Sequence, residues 1–232
     1  MRRTRFACKL ITAVATMSVT LPSLASDVCT DDAIVVFDGS GSMAEMGFNN
    51  LDEPRILEAR RAIEEAIPPI AEDRRIGLVI YGPNGDDDCS GIELYFGPVW
   101  NAAPRIIGAV NRLVPTGDTP LTEATKRAVS ELSQTSPTGS VVVVTDGKET
   151  CMGMPCQLAA ELAGGPYTVH VIGFKVRGEF FAWSNENDEA YENAETVARC
   201  LADRTGGQYI AAENAKELVN AFHETLGCKL LF

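Results

Sequence analysis

Short apolar runs alternate with amphipathic segments after residue 30, and this alternation restricts the possible folds more than any other feature. The runs are rich in β-branched residues, which suits strands buried on both faces; they span 33–37, 75–81, 140–144 and 167–174. Between the runs, apolar residues recur at helical spacing, as at Ile56, Ala59 and Ile63. Strands that alternate with helices form right-handed crossovers. The sequence therefore predicts an α/β fold with a single doubly wound, mostly parallel sheet and helices on both faces.

The other segments extend this plan over one domain, from residue 30 to residue 228. Pro68 and Pro69 are predicted to end the first helix, because proline lacks a backbone N–H. Ile92–Phe96 is predicted as a short antiparallel strand at the sheet edge, and Gln208–Ala211 as the last strand. The predicted helices are Pro54–Ile67, Ala102–Leu113, Leu121–Leu132, Gln157–Leu162, Ala194–Thr205 and Ala215–Leu226.

The first 25 residues have the pattern of a cleaved signal peptide. A basic start is followed by the apolar stretch LITAVATMSVTL and by the small–x–small residues Ser23-Leu24-Ala25. A membrane anchor is the alternative, but the apolar stretch is short for a bilayer span, which needs about 20 residues. The sequence therefore predicts a periplasmic or secreted protein without a transmembrane anchor after cleavage of residues 1–25.

The charge balance disfavours nucleic acid as a partner. The whole chain has 20 Lys and Arg against 32 Asp and Glu, a net charge of −12. Loss of the leader removes four basic and no acidic residues, which leaves 16 against 32 and a net charge of −16. Phosphate binding needs clustered Lys and Arg. A chain this acidic is instead suited to cations or basic surfaces.

Cysteine usage points to disulfides. Cys8 lies in the leader, and the other cysteines are Cys29, Cys89, Cys151, Cys156, Cys200 and Cys228. An even number in an exported chain indicates three disulfides, although six cysteines allow fifteen pairings. The short spacing predicts a local Cys151–Cys156 loop, the position near the two ends predicts Cys29–Cys228, and Cys89–Cys200 remains. A zinc site is disfavoured because no C-x-x-C pair is present.

Polar side chains follow two of the buried strands. Asp38-x-Ser40-x-Ser42 comes directly after the first strand, and Asp146 follows the valine-rich strand. In doubly wound sheets, ligands bind beyond the carboxyl ends of the strands where the strand order reverses. Thr119, in the stretch GDTPL before a helix, adds a further hydroxyl. Mg²⁺ takes six oxygen ligands, so these residues are candidates for a magnesium site.

Three stretches carry a family resemblance: IVVFDGSGSM, GDTPLTEA and VVVVTDGKETC. They resemble the three parts of the metal-ion-dependent adhesion site of von Willebrand factor A domains, and the resemblance extends over nearly all of the mature chain. The stretches TDGKETCMGMPC and ARCLADRTGGQYIAAENAKEL are similar to the exported bacterial branch of that family. The resemblance implies a domain that binds Mg²⁺, or Mn²⁺, with Ca²⁺ also possible.

The resemblance also implies a role for each site residue. Ser40 and Ser42 bind the metal directly, and Thr119 binds it directly or through water. Asp38 and Asp146 act mostly through bound water and hydrogen bonds. A carboxylate from a protein partner fills the remaining position. Because the direct ligands are mainly neutral hydroxyls, the cation keeps much of its charge and attracts that carboxylate.

Each residue also has a structural interpretation. Ser40 and Ser42 are suited to capping a helix, as is Thr119 with Pro120 at the first helical position, and Asp146 is suited to a turn with Gly147. We expect a binding module rather than an enzyme, because G-x-S-x-G and nucleotide-binding motifs are absent and a D-x-D phosphatase needs an acid at residue 40. A disulfide-stabilised structural domain of the envelope remains the alternative.

Overall fold

The computed structural model describes residue 29 and residues 31–46, 53–147, 149–176 and 199–228. The predicted signal peptide, residues 1–25, lies outside these ranges. So does the first part of the predicted helix Ala194–Thr205, of which residues 199–205 are helical as expected. Among the helices that are described, none combines the length and the apolar character needed to cross a membrane.

One sheet of six strands forms the centre of the fold. The strands lie in the order β3-β2-β1-β4-β5-β6, and every neighbouring pair is parallel except β2 and β3. The predicted α/β architecture with one antiparallel edge strand is therefore confirmed. The strands are β1 Asp32–Asp38, β2 Ile76–Tyr81, β3 Ile92–Val99, β4 Gly139–Thr145, β5 Tyr167–Phe174 and β6 Tyr209–Ala212.

Helices cover both faces of the sheet because alternate strand residues point to opposite sides. In β1, Ala33, Val35 and Phe37 belong to one apolar cluster, whereas Ile34 and Val36 belong to another. The first cluster packs against α1, α2 and α5, and the second against α3, α4 and the helical residues 199–205. The helices are α1 Arg55–Asp73, α2 Ala103–Arg112, α3 Leu121–Thr135, α4 Pro155–Leu162 and α5 Ala215–Leu226.

The first helix does not end at Pro68, and that prediction is wrong. Helix α1 continues through Pro68 and Pro69 to Asp73. The two prolines leave the carbonyls of Glu64 and Glu65 without an intrahelical N–H partner, but both glutamates are on the exposed side, where water can bond to them. The turn beyond the prolines buries further apolar side chains, and this packing outweighs the lost hydrogen bonds.

The disulfides agree with the prediction in one case and correct it in two. Cys29–Cys228 is present as predicted, with a Cα–Cα distance of 5.2 Å. The predicted pairs Cys151–Cys156 and Cys89–Cys200 are wrong, because the structure contains Cys89–Cys151 and Cys156–Cys200. The physical reason is that Cys156 lies in the first turn of α4 and faces the helix that carries Cys200, whereas Cys151 lies in the preceding loop at the sheet rim.

The carboxyl ends of β1 and β4 meet at the point where the strand order reverses. Strand β1 lies between β2 and β4, so the connections after β1 and β4 leave toward opposite edges of the sheet. The register pairs Phe37 with Val144, which brings the last residues of both strands to the same rim. The fold thus places the segments after Asp38 and Thr145 beside each other.

Candidate metal centre

The carboxylate of Asp38 is the centre of the cluster at this rim. Its side chain is fully buried. It accepts five hydrogen bonds: Oδ1 accepts from the backbone N–H and hydroxyl of Ser40, and Oδ2 accepts from Tyr81, Thr145 and the backbone N–H of Asp146. The donor–acceptor distances run from 2.5 Å at the Ser40 hydroxyl to 3.3 Å at the Asp146 N–H. The carboxylate therefore connects the ends of β1, β2 and β4.

The hydroxyls of the two predicted serine ligands lie next to each other. Ser40 Oγ and Ser42 Oγ are 3.0 Å apart. The Ser42 hydroxyl donates to Asp146 Oδ1 at 2.6 Å. The side-chain oxygens of four of the five predicted metal residues, Asp38, Ser40, Ser42 and Asp146, thus lie within contact distance of one another in one continuous chain.

A buried arginine supports this chain from the first turn of α1. The side chain of Arg55 is fully buried, and its Nη1 donates to the backbone carbonyl of Ser42 at 2.9 Å. The same nitrogen lies 3.4 Å from Asp146 Oδ2 and 3.5 Å from the exposed carboxylate of Glu45. Since both site aspartates are fully buried, this fixed positive charge offsets part of the cost of holding two carboxylates at the rim.

The fifth predicted residue, Thr119, lies on the loop between α2 and α3. Two residues before it, the carbonyl of Gly117 accepts a hydrogen bond at 2.9 Å from the N–H of Gly41. Gly41 belongs to residues 39–42, which follow β1 and are called the serine loop below. The N–H of Thr119 donates to Thr150 Oγ1 at 2.8 Å, and its carbonyl accepts from the Thr150 N–H at 3.2 Å. Thr119 is therefore held through its backbone beside the serine loop.

Two glycines with positive φ allow these loops to approach closely. Gly82 has φ +107°, and a Cβ there would lie 2.6 Å from the backbone of Gly39 and Ser40. Gly117 has φ +76°, and a Cβ there would lie 2.2 Å from the carbonyl oxygen of Gly82. A side chain at Gly82 would collide with the serine loop, and one at Gly117, in the Thr119 loop (residues 113–120), would collide with Gly82. Both loops can therefore pack closely against the turn at Gly82.

The capping interpretations of the site residues are not what the structure contains. Ser40 precedes a short 3₁₀ helix, Gly41–Ala44, but its side chain makes no cap hydrogen bond and bonds instead to Asp38 and Ser42. The N-cap position of α3 is occupied by Pro120 rather than by Thr119.

The donor set at the rim fits a small divalent cation. Every candidate ligand atom is an oxygen, as Mg²⁺ prefers. Neighbouring ligands of an octahedral ion with bonds of about 2.1 Å lie about 3.0 Å apart. The separation of Ser40 Oγ and Ser42 Oγ is 3.0 Å, which matches one edge of such an octahedron.

Some residues of the site carry signals that sequence reasoning did not use. Tyr81 is the last residue of β2 and Thr145 the last of β4, so the strand-end rule that identified Asp38 also applies to them. Glu149 and Thr150 lie within the family stretch TDGKETC. Arg55 carries no signal in its spacing, because only the packing of α1 brings it to the rim.

Tyr81 remains a hydrogen-bond donor to Asp38 at neutral pH. Burial raises the pKa of its hydroxyl well above the ordinary value, and the negative charge of Asp38 raises this pKa further. The hydroxyl lies 2.7 Å from Asp38 Oδ2.

Replacing Tyr81 by phenylalanine is expected to lower the free energy of unfolding by about 1.5–3 kcal/mol, because a buried hydrogen bond to a charged group is lost. Urea unfolding of purified protein measures the change. Tyr95→Phe is the control, because Tyr95 is half-buried on the edge strand β3 and its substitution is expected to cost less than about 0.5 kcal/mol. Equal losses in the two variants would show that the hydroxyl of Tyr81 has no special role.

A comparison with protein families identifies this domain. The model of the von Willebrand factor type A domain matches residues 33–149, about half of the 232 residues and the part that contains all five candidate ligands. The chain belongs to the von Willebrand factor type A domain family. Its six-stranded, mostly parallel sheet with helices on both faces is the architecture of that family.

Two similar proteins align with more of the chain than the family model does. The Bacillus subtilis (strain 168) proteins YwmC and YwmD are 26% and 27% identical to the chain, and the alignments cover 94% and 92% of it and 95% and 93% of the relatives. Among solved structures, a von Willebrand factor type A protein from Catenulispora acidiphila has a TM-score of 0.60 at 17% identity; the match covers 86% of this chain and 42% of that one. The present chain thus spans less than half of that structure.

Two further solved structures share the fold of this von Willebrand factor type A domain. Proximal thread matrix protein 1 from the mussel byssus, with a zinc-occupied metal-ion-dependent adhesion site, has a TM-score of 0.57 at 14% identity; the match covers 87% of this chain and 46% of that one. The pilus adhesin SpaC from Lactobacillus rhamnosus GG, in an open conformation, has a TM-score of 0.60 at 13% identity, with 86% and 30% covered.

Proposed function

We propose that this domain binds a divalent cation through Ser40, Ser42 and Thr119, with Asp38 and Asp146 acting through water and hydrogen bonds, and uses it to hold a carboxylate of a protein partner. The domain is a binding module without catalysis of its own. The observation that carries the proposal is the continuous chain of oxygens from Asp38 to Asp146 at the reversal of strand order. This is the position at which doubly wound sheets bind ligands.

The surrounding residues support such a site by orienting its oxygens. Asp38 accepts a hydrogen bond from the Ser40 hydroxyl, so the lone pairs of that hydroxyl oxygen remain available to a cation. Asp146 does the same for Ser42. When bound, the cation supplies a positively charged coordination position for an outside carboxylate oxygen. The neutral serine hydroxyls leave most of that charge in place.

The donor chemistry favours Mg²⁺ or Mn²⁺ as the cation. Ca²⁺ takes six to eight oxygen ligands at about 2.3–2.6 Å, a larger coordination shell than that of Mg²⁺. The three hydroxyls of Ser40, Ser42 and Thr119 suit the smaller shell better. The mussel thread matrix protein, which shares the fold, contains zinc in its metal-ion-dependent adhesion site, and this supports the proposal of a divalent cation. A competition titration of the protein with Mg²⁺, Mn²⁺ and Ca²⁺ would measure which cation binds most tightly.

We also propose that the protein works outside the cytoplasm, in the periplasm or as a secreted protein. The three disulfides support this location, because such bonds persist in oxidising compartments. The signal-like residues 1–25 support it as well. Sequencing the amino terminus of protein recovered from cells tests it directly.

Saturating Mg²⁺ or Mn²⁺ is expected to raise the melting temperature of the wild-type domain by about 5–10 °C, since a ligand at a hundred times its Kd adds about 2.7 kcal/mol. Thr119→Val is expected to remove most of this shift. The hydrogen bonds between Thr119 and Thr150 run through the N–H and carbonyl of Thr119, so valine preserves them while removing the hydroxyl. Differential scanning fluorimetry with and without a chelator measures both shifts.

Thr116→Val is the matched control, because Thr116 lies on the same loop and contacts the serine loop through its backbone N–H. It should retain the wild-type shift. Equal shifts in wild type and Thr119→Val would contradict the metal site and favour a disulfide-stabilised structural domain instead. Capture of a partner that survives chelation would contradict the metal-dependent mode of binding.

A further inference from the structure

The Cys89–Cys151 disulfide joins two segments that both contact the Thr119 loop. Cys89 is in the connection between β2 and β3, and Cys151 follows β4 ahead of α4. The Cα atoms of the two cysteines are 5.6 Å apart. The sulfur of Cys89 lies 3.8 Å from the carboxylate of Asp118, the residue before Thr119.

Each segment holds the Thr119 loop through the residue that immediately precedes its cysteine. Before Cys89, the carbonyl of Asp88 accepts a hydrogen bond from the Asp118 N–H at 2.8 Å. Before Cys151, Thr150 accepts from the Thr119 N–H at 2.8 Å and donates to the Thr119 carbonyl at 3.2 Å. The disulfide therefore links the two segments that hydrogen-bond to the consecutive loop residues Asp118 and Thr119.

Glu149, in the same segment as Thr150, forms a hydrogen bond to the start of α3. Its Oε2 accepts from the N–H of Thr122 at 2.8 Å, in the first turn of the helix, and its Oε1 accepts from the N–H of Cys151 at 2.9 Å. A carboxylate at a helix N-terminus satisfies an unpaired N–H and interacts favourably with the helix dipole. The segment 149–151 thus holds Thr119 on one side and the helix that follows it on the other.

Thr119 lacks the support from the central strands that the two site aspartates have. Asp38 ends β1, Asp146 follows β4, and both strands lie in the middle of the sheet. Thr119 instead lies on a connection between two helices. The hydrogen bonds described above tie it to the neighbouring loops, whereas no strand carries it. Its position therefore depends on these loop contacts.

We infer that the Cys89–Cys151 disulfide is a positioning bond for the metal centre, which keeps Thr119 beside Ser40 and Ser42. The inference rests on the proposed metal binding. Without the bond, the segments that carry Asp88 and Thr150 move independently, and the Thr119 hydroxyl is no longer held in the coordination shell. Loss of the bond is expected to weaken cation binding about tenfold, the lower end of the range seen when groups that orient metal ligands are removed.

The test compares two pairs of substitutions that each remove one disulfide. C89S/C151S breaks the bond beside the Thr119 loop, and C156S/C200S breaks the bond between α4 and the helical residues 199–205. The bonds close loops of 62 and 44 residues, so they stabilise the chain to nearly the same extent in the chain-entropy description. Titration with Mn²⁺, followed by electron paramagnetic resonance of the free ion, gives the Kd of each oxidised protein.

C89S/C151S is expected to bind Mn²⁺ about tenfold more weakly than wild type, and C156S/C200S within about twofold of it. In a Thr119→Val background, C89S/C151S is expected to cause no further loss, because both changes remove the same ligand. Equal weakening by the two pairs, or additive losses with Thr119→Val, overturns the positioning role. So does an unchanged Kd for C89S/C151S.

A second variant keeps the inference testable if C89S/C151S does not fold. Thr150→Val removes the oxygen that accepts the Thr119 N–H while the disulfide stays intact, and it should weaken Mn²⁺ binding, whereas Thr150→Ser should not. If Thr150→Val binds Mn²⁺ as tightly as wild type, the hydrogen bond from Thr119 to Thr150 does not position the site and the inference is wrong. If the wild-type protein does not bind Mn²⁺, both the proposed function and the positioning role are wrong. If the wild-type protein binds Mn²⁺ and both C89S/C151S and Thr150→Val bind it equally well, only the positioning role is wrong.

Discussion

Replacing Asp38 by alanine is expected to lower the free energy of unfolding by about 3–5 kcal/mol and to abolish stabilisation by Mg²⁺ or Mn²⁺. The carboxylate accepts five hydrogen bonds in a fully buried position, so its removal leaves several donors at the ends of β1, β2 and β4 unsatisfied. Each buried donor without a partner costs about 1–3 kcal/mol. Urea unfolding with and without the cation measures both effects.

Asp38→Asn is the matched control, because it keeps the size of the side chain and one carbonyl oxygen. That oxygen can still accept from Ser40, while the amide nitrogen cannot accept from the Asp146 N–H. An intermediate loss of stability is expected, together with weakened cation binding. If Asp38→Ala unfolds at the same urea concentration as wild type, the carboxylate does not connect the strand ends in the way described.

Replacing Lys175 by methionine is expected to cost about 3–5 kcal/mol of folding stability, because it leaves a buried negative charge without its cation. Lys175 follows β5, and its Nζ forms an ion pair with Glu58 in the first turn of α1. Both side chains are almost completely inaccessible to water. The pair therefore connects the carboxyl end of β5 to the helix that also carries Arg55. Chemical denaturation at neutral pH measures the loss.

The double substitution Glu58→Met with Lys175→Met is the control for this second prediction. It removes both charges and keeps the space filled, and replacing a buried pair by apolar residues of similar volume is often neutral. The double variant is expected to recover most of the stability lost in Lys175→Met. If the loss of folding free energy in the double variant equals the sum of the losses in Glu58→Met and Lys175→Met, the unpaired buried charge is not the cause of the instability.

Most of the secondary structure could be predicted because it depends on local periodicity. The predicted strand Tyr167–Phe174 and the predicted helix Ala215–Leu226 have the bounds found in the structure. Among the described elements, the largest difference is at the end of α1. Pro68 and Pro69 are local signals for a helix end, but the apolar residues beyond them are buried by the sheet and by neighbouring helices. Tertiary packing overrode the local signal there.

The candidate site could also be predicted in part. Asp38, Ser40, Ser42 and Asp146 follow strand ends, and parallel strands bring their carboxyl ends to one rim whatever the sequence distance between them. Arg55 could not be predicted in the same way. A helical arginine ordinarily projects into water, and its burial against Ser42 and Asp146 depends on how α1 crosses the sheet.

Residue pattern alone was enough for the α/β class, the edge strand and the candidate oxygen cluster, because periodicity and strand ends are properties of neighbouring residues. Two of the three disulfide pairings and the hydrogen bonds that hold Thr119 depended on the tertiary structure. Cys151 and Cys156 are close in sequence, yet the start of α4 at Pro155 directs them to different partners. Covalent pairing follows distance in space, and here the packing of loops against the sheet rim brings Cys89 to Cys151.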